Sequence, residues 1–394
     1  MVNKIVCTQK PGISILLAIL LTADIYAGSQ LSRNLTGEPL LSYNAACTGV
    51  GNSVRYSIDD ATMFLVNPGV LGFMEARAVA AFNLGVLPTD ERVITVDEPV
   101  YHNFGITQFP AAVALAYAII PSRLSIGIGT AVIRDNSYFH ERYLYSPTAV
   151  GVRVKSQKVS QHGAVDKYTA GIGWAPVKFL STGLNINMLN YYTNTTDLTS
   201  DYLLNREYIV NSKADATGYG LDLSAGFMVN DIRIGLIFSS DSTLTGTQEV
   251  MYSTSTSKLS TEIRKYVPAE TCLVYEHKFS DIHTVIFNLR WVNNSVLTGN
   301  RNTLILTAGG ECKPQDTDYA VRYGFFYTPF YADDAYSTAG VTTGAVYRVS
   351  DNFGVDLAIQ YAKRNYIGDG TFFGDTQQID ETLTKCVVGI SIKY

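Results

Sequence analysis

Charge is scarce in this chain. Asp, Glu, Lys and Arg make up 16% of its 394 residues, against roughly 25% in soluble proteins, which leaves a water-facing surface of that size short of polar cover. The formal net charge is -5 and no basic run of five or more occurs, so nucleic acid has no electrostatic footprint and is excluded as a partner. No apolar run reaches the roughly 18 residues of a membrane-spanning helix, and no segment keeps a period of 3.6. Cys7, Cys47, Cys272, Cys312 and Cys386 lie far apart without a CxxC pair, so they form no metal site and no disulfide framework. His102, His140, His162, His277 and His283 likewise lack ligand spacing. There is no G-x-S-x-G elbow, and Gly49-Val50-Gly51 has no helix after it to make a nucleotide fingerprint. The expectation is therefore no enzyme, no cofactor and no metal, although a lipase whose Ser and His meet only in the fold stays open as an alternative.

Aromatics and glycine are plentiful instead, with Tyr 26, Phe 17 and Gly 32. Residues 1–27 read as an export signal: Lys4 and Lys10 precede the apolar stretch Ile13 to Leu21, and the small Ala27 stands before the expected cleavage point, with Asp24 the one discordant residue. From Ala76 onward a period of two recurs, the signature of strands with two unlike faces. Val355, Leu357, Ile359 and Tyr361 share one face and Gly354, Asp356, Ala358 and Gln360 the other. Tyr219, Leu221, Leu223 and Phe227 alternate with Gly220, Asp222, Ser224 and Gly226 in the same way.

The connections separate a barrel from a soluble sandwich. Short turn signals sit at Pro121–Ser122, Pro176–Lys178, Asn230–Asp231, Ser280–Asp281, Pro314–Thr317 and Ser350–Asn352. Long polar segments lie between them, near 87–102, 136–161, 195–215, 246–265, 293–301, 331–340 and 367–382. A transmembrane barrel has short periplasmic turns and long external loops, whereas Greek-key links have no reason to alternate. Six short and seven long connections predict an all-β, antiparallel transmembrane barrel of about fourteen strands over residues 76–394. The last strand carries Val388, Ile390, Ile392 and a terminal Tyr394 on one face, an aggregation hazard in water that lipid and barrel closure remove.

Residues 28–75 precede the first strand and contain GVGNSVRYSIDDATMFLVNPGVLGF, with Gly49, Gly51, Asp59-Asp60 and Asn67-Pro68-Gly69. This stretch resembles the N-terminal motif of the long-chain fatty-acid transporter family of outer-membrane barrels, and also that of the related shuttle barrel of type IX secretion. LSIGIG at 124–129, GWAPVKFLSTGLNINML at 173–189, GYGLDLSAGFMVNDIRIGL at 218–236 and TTGAVYRVSDNFGVDLAIQYA at 342–362 look like hairpins of the same group. One departure is Gly69-Val70-Leu71 where Asn-Pro is commonly followed by Ala-Gly-Leu. The resemblance implies a bacterial outer-membrane location, a plug or hatch formed by residues 28–75, and passive uptake of fatty acids or aromatic hydrocarbons that bind near the loops and leave sideways through the wall. It also implies lipid and the barrel-assembly machinery as partners. Capture of exported protein cargo is the alternative function.

Asp59 and Asp60 are read first as capping acids in a turn of the hatch, and Asn67-Pro68 as a rigid turn, with any ligand role supplied by the resemblance. Asp222, Arg233, Arg322 and Asp356 fall on the polar faces of their strands and should point into the lumen, where a mutually paired, space-filling set is the plainer reading. Tyr138, Phe139, Tyr143, Leu144 and Tyr145 give one polar loop an unusual aromatic density. They are a candidate ligand-reception patch or, equally, part of an interfacial aromatic belt.

Overall fold

The structure, a computed structural model, describes residues 38–56, 60–94, 101–146, 152–254, 257–295, 301–329, 337–368 and 377–394. The expected signal 1–27, residues 28–37 of the hatch and Asp59 lie outside the described residues. Seventeen strand segments, three pairs of which run on in line across short breaks, make a barrel of fourteen antiparallel strands. In chain order they are β1 (Ala78–Ile94), β2 (Tyr101–Ile120), β3 (Leu124–Asp135 and Tyr138–Tyr145), β4 (Arg153–Val177), β5 (Leu180–Asp201), β6 (Arg206–Val229) and β7 (Ile232–Ser239 and Ser242–Tyr252). The wall continues with β8 (Lys258–Val267 and Ala269–Lys278), β9 (His283–Asn293), β10 (Thr303–Cys312), β11 (Tyr319–Pro329), β12 (Ser337–Ser350), β13 (Phe353–Gly368) and β14 (Gln377–Lys393). β14 pairs with β1 from Gln378↔Ile94 to Lys393↔Val79, and Ala78 and Tyr394 exchange backbone hydrogen bonds of 2.9 and 2.8 Å. Pairing of the last strand with the first closes the barrel, as a sheet in lipid requires.

The period of two decides what each face meets. Leu357, Ile359 and Tyr361 are exposed on the outer wall while Asp356, Ala358 and Gln360 are buried inside, and Leu221, Leu223 and Phe227 face out where Asp222, Ser224 and Gly226 face in. Five of the six short turns fall where the sequence puts them, including the two-residue link Asn230–Asp231, where Asn230 takes a φ of +52°; the sixth is displaced, with Pro176 and Val177 ending β4 and the turn at 178–179.

The expectation of long external loops is corrected in part. Most of 87–102, 136–161, 195–215 and 246–265 is strand: β4, β5 and β6 run 25, 22 and 24 residues, beyond what a bilayer needs. With water on both faces, a hairpin that rises past the membrane loses its apolar–polar alternation but keeps its backbone pairing, so its sequence reads as loop.

The lumen is filled by the N-terminal segment rather than by wall side chains. It contains a short helix α1 (Ala45–Gly49) and two 3-10 turns, Ala61–Leu65 and Pro68–Phe73. Small inward residues of the wall make room for it. A Cβ on Gly183 would fall 2.2 Å from the Pro68 carbonyl carbon, and one on Gly324 would fall 2.3 Å from the Gly51 nitrogen. Tyr43, Val54, Tyr56, Phe64, Leu65 and Leu71 pack there against inner-wall apolar groups such as Ala112, Ala131 and Ile237.

Candidate functional site

Polar side chains tie the hatch together and then to the wall. Asn44 caps α1 by accepting from the Cys47 N–H at 2.9 Å, and Asp60 caps the first 3-10 turn by accepting from the Thr62 N–H at 2.7 Å. The other Asp60 oxygen accepts from Asn44 Nδ2 at 2.6 Å and from Asn83 Nδ2, on β1, at 3.0 Å. Burial raises the Asp60 carboxyl above the usual aspartate value, although these hydrogen bonds pull the other way. Asn67 donates to the Arg55 carbonyl at 3.3 Å, and Pro68 opens the second 3-10 turn, where its missing N–H is no loss.

The four lumen residues read from the strand pattern are brought into pairs. Arg322 bridges Asp356 and Glu311, the latter at 2.7 Å, and Arg55 of the hatch reaches the same Glu311 at 2.7 Å. Asp222 pairs with Lys167 at 2.6 Å, and Lys167 also donates to the Leu65 carbonyl at 2.8 Å. Arg233 pairs with Glu276 at 2.8 Å, whose other oxygen accepts the Tyr56 N–H at 3.0 Å. Charged groups buried in this way need partners, and the hatch backbone supplies several of them. Lys167, Glu276 and Glu311 were missed from sequence, although each has inward parity on its strand. Arg55 carried no periodic signal at all.

Tyr138, Phe139, Tyr143, Leu144 and Tyr145 do not form the expected loop. They lie on the upper part of β3, paired from Tyr138↔Gln161 to Tyr145↔Arg153. Tyr138 is fully buried and stacks on His140, Phe139 lies under the Lys158 ammonium at 5.4 Å, and the Arg153 guanidinium covers the Tyr143 ring at 4.0 Å.

The break in β3 is the larger feature. Arg134, Asp135, Asn136, Ser137 and Tyr138 are all buried, an unbroken run that an alternating wall strand cannot produce, so the chain there bends into the lumen. Its ladder with β2 stops at Ala112↔Ala131, leaving the seam above that pair without rungs. The bent piece pairs with the hatch instead: Pro39 and Glu38 face Arg134 and Asp135, and the Leu40 N–H donates to the Ile133 carbonyl at 2.9 Å.

Beside this bend lies a cavity of about 170 Å³. Leu40, Leu41, Tyr43 and Val66 of the hatch line it, with Ile133, Leu189, Val267, Val292 and Ile305 of the wall. Lys167, Asp222, Glu270 and Arg290 also border it. A space of that size matches one small apolar molecule, since an apolar cavity of about 150 Å³ holds benzene.

A closed barrel of fourteen strands, with an internal N-terminal hatch and an inward bend in its third strand, has the fold of the outer-membrane transporters of the FadL type. Solved structures similar to it include a Pseudomonas aeruginosa FadL homologue, 14% identical with a TM-score of 0.66 over 91% of this chain and 99% of that one. The Pseudomonas putida toluene transporter TodX is 15% identical with a TM-score of 0.65 over 92% of this chain and 100% of that one. The monoaromatic hydrocarbon channel CymD is 14% identical with a TM-score of 0.60 over 92% of this chain and 98% of that one. No family model matches the sequence, and no curated protein matches it.

Proposed function

We propose that this protein is a bacterial outer-membrane channel for the passive uptake of hydrophobic small molecules, fatty acids or aromatic hydrocarbons. The observation that carries the reading is the apolar cavity between hatch and wall, beside the inward bend of β3, whose ladder with β2 stops at the seam above Ala112↔Ala131. The solved structures that share the fold include a toluene transporter and a monoaromatic hydrocarbon channel. No step of chemistry is needed. An apolar solute gains free energy in proportion to the area it removes from water, so a string of apolar contacts from the outer rim to the lipid carries it down its concentration gradient. The hatch keeps the lumen from acting as an open pore for polar solutes, and the seam gives the solute a side exit. A cargo shuttle is not needed to explain this architecture.

Filling the cavity tests the reading. The variants Leu189→Trp and Ile133→Trp place bulk in it from two strands, and saturable binding of toluene or of a fatty acid to the purified barrel should fall at least tenfold in each. The heat-dependent shift of the folded barrel on a gel should persist. Unchanged binding in both variants, with both barrels folded, removes the cavity from the pathway.

A further inference from the structure

The wall has a second irregular place, at β7–β8. Below it Ser239 pairs with Glu270 and above it Ser242 pairs with Val267, but Ser240 and Asp241 form no rung between them. Pro268, across from Asp241, has no N–H to give. On its other side β7 slips against β6, from Asp222↔Ser239 to Thr217↔Thr245, so that residues 240–244 face 218–221 and form a bulge. Unpaired backbone groups are costly in lipid, and here Ser240 limits the cost: its N–H donates to the Leu221 carbonyl at 2.8 Å and its hydroxyl accepts the Leu221 N–H at 2.9 Å.

The cavity reaches this place. Its lining runs from Tyr43 on the hatch to Ser240, Tyr266 and Pro268 at the seam, and includes Leu221, which is 47% exposed on the outer face of β6. The cavity therefore reaches the wall itself at this place, where Leu221 has its side chain on the outer face. Asp241 sits at the outer end with Tyr266 Oη donating to it at 3.2 Å. A carboxylate on the outer face belongs with headgroups rather than hydrocarbon, which puts the opening at the membrane boundary with Leu221 and Phe238 in the apolar layer beside it.

We propose that the β7–β8 seam is a second, lipid-side mouth of the cavity, through which alkyl chains and other slender apolar molecules dissolved in the surrounding leaflet reach the lumen. It rests on the channel reading for its purpose but not for its detection. The test reconstitutes the full barrel in vesicles containing a phosphatidylcholine that carries a photoactivatable diazirine in one acyl chain. A tethered chain is not transported, so the result does not depend on uptake. After irradiation, adducts mapped by mass spectrometry should include the lumen residues Tyr43 and Val292, both buried and both lining the cavity. In a Ser240→Cys, Ala269→Cys pair, whose residues face each other in register, oxidation should cut those lumen adducts at least tenfold and reduction should restore them. Gly220→Leu, which adds bulk from β6, gives the same loss without a disulfide. Adducts confined to Leu221, Phe238 and other outward residues overturn the proposal, as do equal lumen adducts in the oxidised and reduced forms. Lumen adducts in a barrel that moves no apolar tracer would leave the mouth standing and the uptake reading refuted.

Discussion

Gly51 combines a left-handed backbone with a close approach of the hatch to the wall, which makes Gly51→Ala a sharp perturbation. Its φ is +77°, a region that costs an L-residue about 1–2 kcal/mol. The added Cβ would lie 2.4 Å from the Ala308 carbonyl oxygen and 2.5 Å from that of Phe325, both backbone atoms of the wall. Overpacking of this kind costs about 1–3 kcal/mol. The sum, about 2–5 kcal/mol, falls on hatch docking, because the barrel's own hydrogen bonds are untouched. At a tenfold change per roughly 1.4 kcal/mol, the undocked population should rise about 30- to 4,000-fold. Cys47 reports it: the residue lies in α1, is 4% exposed, and burial pushes its thiol up to about 12. It is therefore protonated and shielded while the hatch is docked. The rate of maleimide labelling at Cys47 near neutral pH, read by peptide mass spectrometry, should rise by that factor, while the heat-dependent gel shift of the barrel stays. Labelling within threefold of the parent protein would refute the claim that Gly51 is fitted to the wall.

Three further outcomes are expected. Because burial raises the Asp60 carboxyl, its contribution to docking is full below the ordinary aspartate value of 3.8 and is lost as pH climbs through the raised value. Acidification from neutrality should thus slow Cys47 labelling relative to the urea-unfolded chain, and Asp60→Asn should remove that slope. Deleting Tyr394 removes both backbone hydrogen bonds that join it to Ala78, worth about 0.5–1.5 kcal/mol each, and should lower the fraction of heat-shifted barrel recovered from membranes. A tag inserted within 147–150 or 369–371 should bind antibody on intact cells and one at Ser350–Asn352 should not, whereas reversed accessibility would invert the topology.

The wall was legible because each strand meets two unlike solvents, so Val355 to Tyr361 or Tyr219 to Phe227 carry the answer in their alternation. Short turns were legible through Asn230-Asp231 and Pro121-Ser122 for the same local reason. The raised ends of β4 to β6 were not, since wet strands such as 193–201 have no face to distinguish. The bend at Asn136–Ser137 was equally hidden. Its cause is the strand Glu38–Pro39 lying against Arg134 and Asp135, a pairing of residues about a hundred positions apart that no local pattern encodes. Asp222, Arg233, Arg322 and Asp356 could be placed inside by parity, but their partners Lys167, Glu276 and Glu311 follow only from the register of neighbouring strands and the path of the hatch.

The central claim, that the barrel passes hydrophobic molecules and not polar ones, is tested most directly by uptake into cells of a Gram-negative host that lacks its own transporter of this type. Expression of the protein should raise the initial uptake rate of radiolabelled toluene or oleate at least severalfold, with saturation, and leave that of a labelled disaccharide unchanged. The Leu189→Trp variant should return the apolar rate to that of the empty host. An equal rise in disaccharide uptake, or no rise for either apolar tracer from a barrel shown to be folded at the surface, would contradict the account.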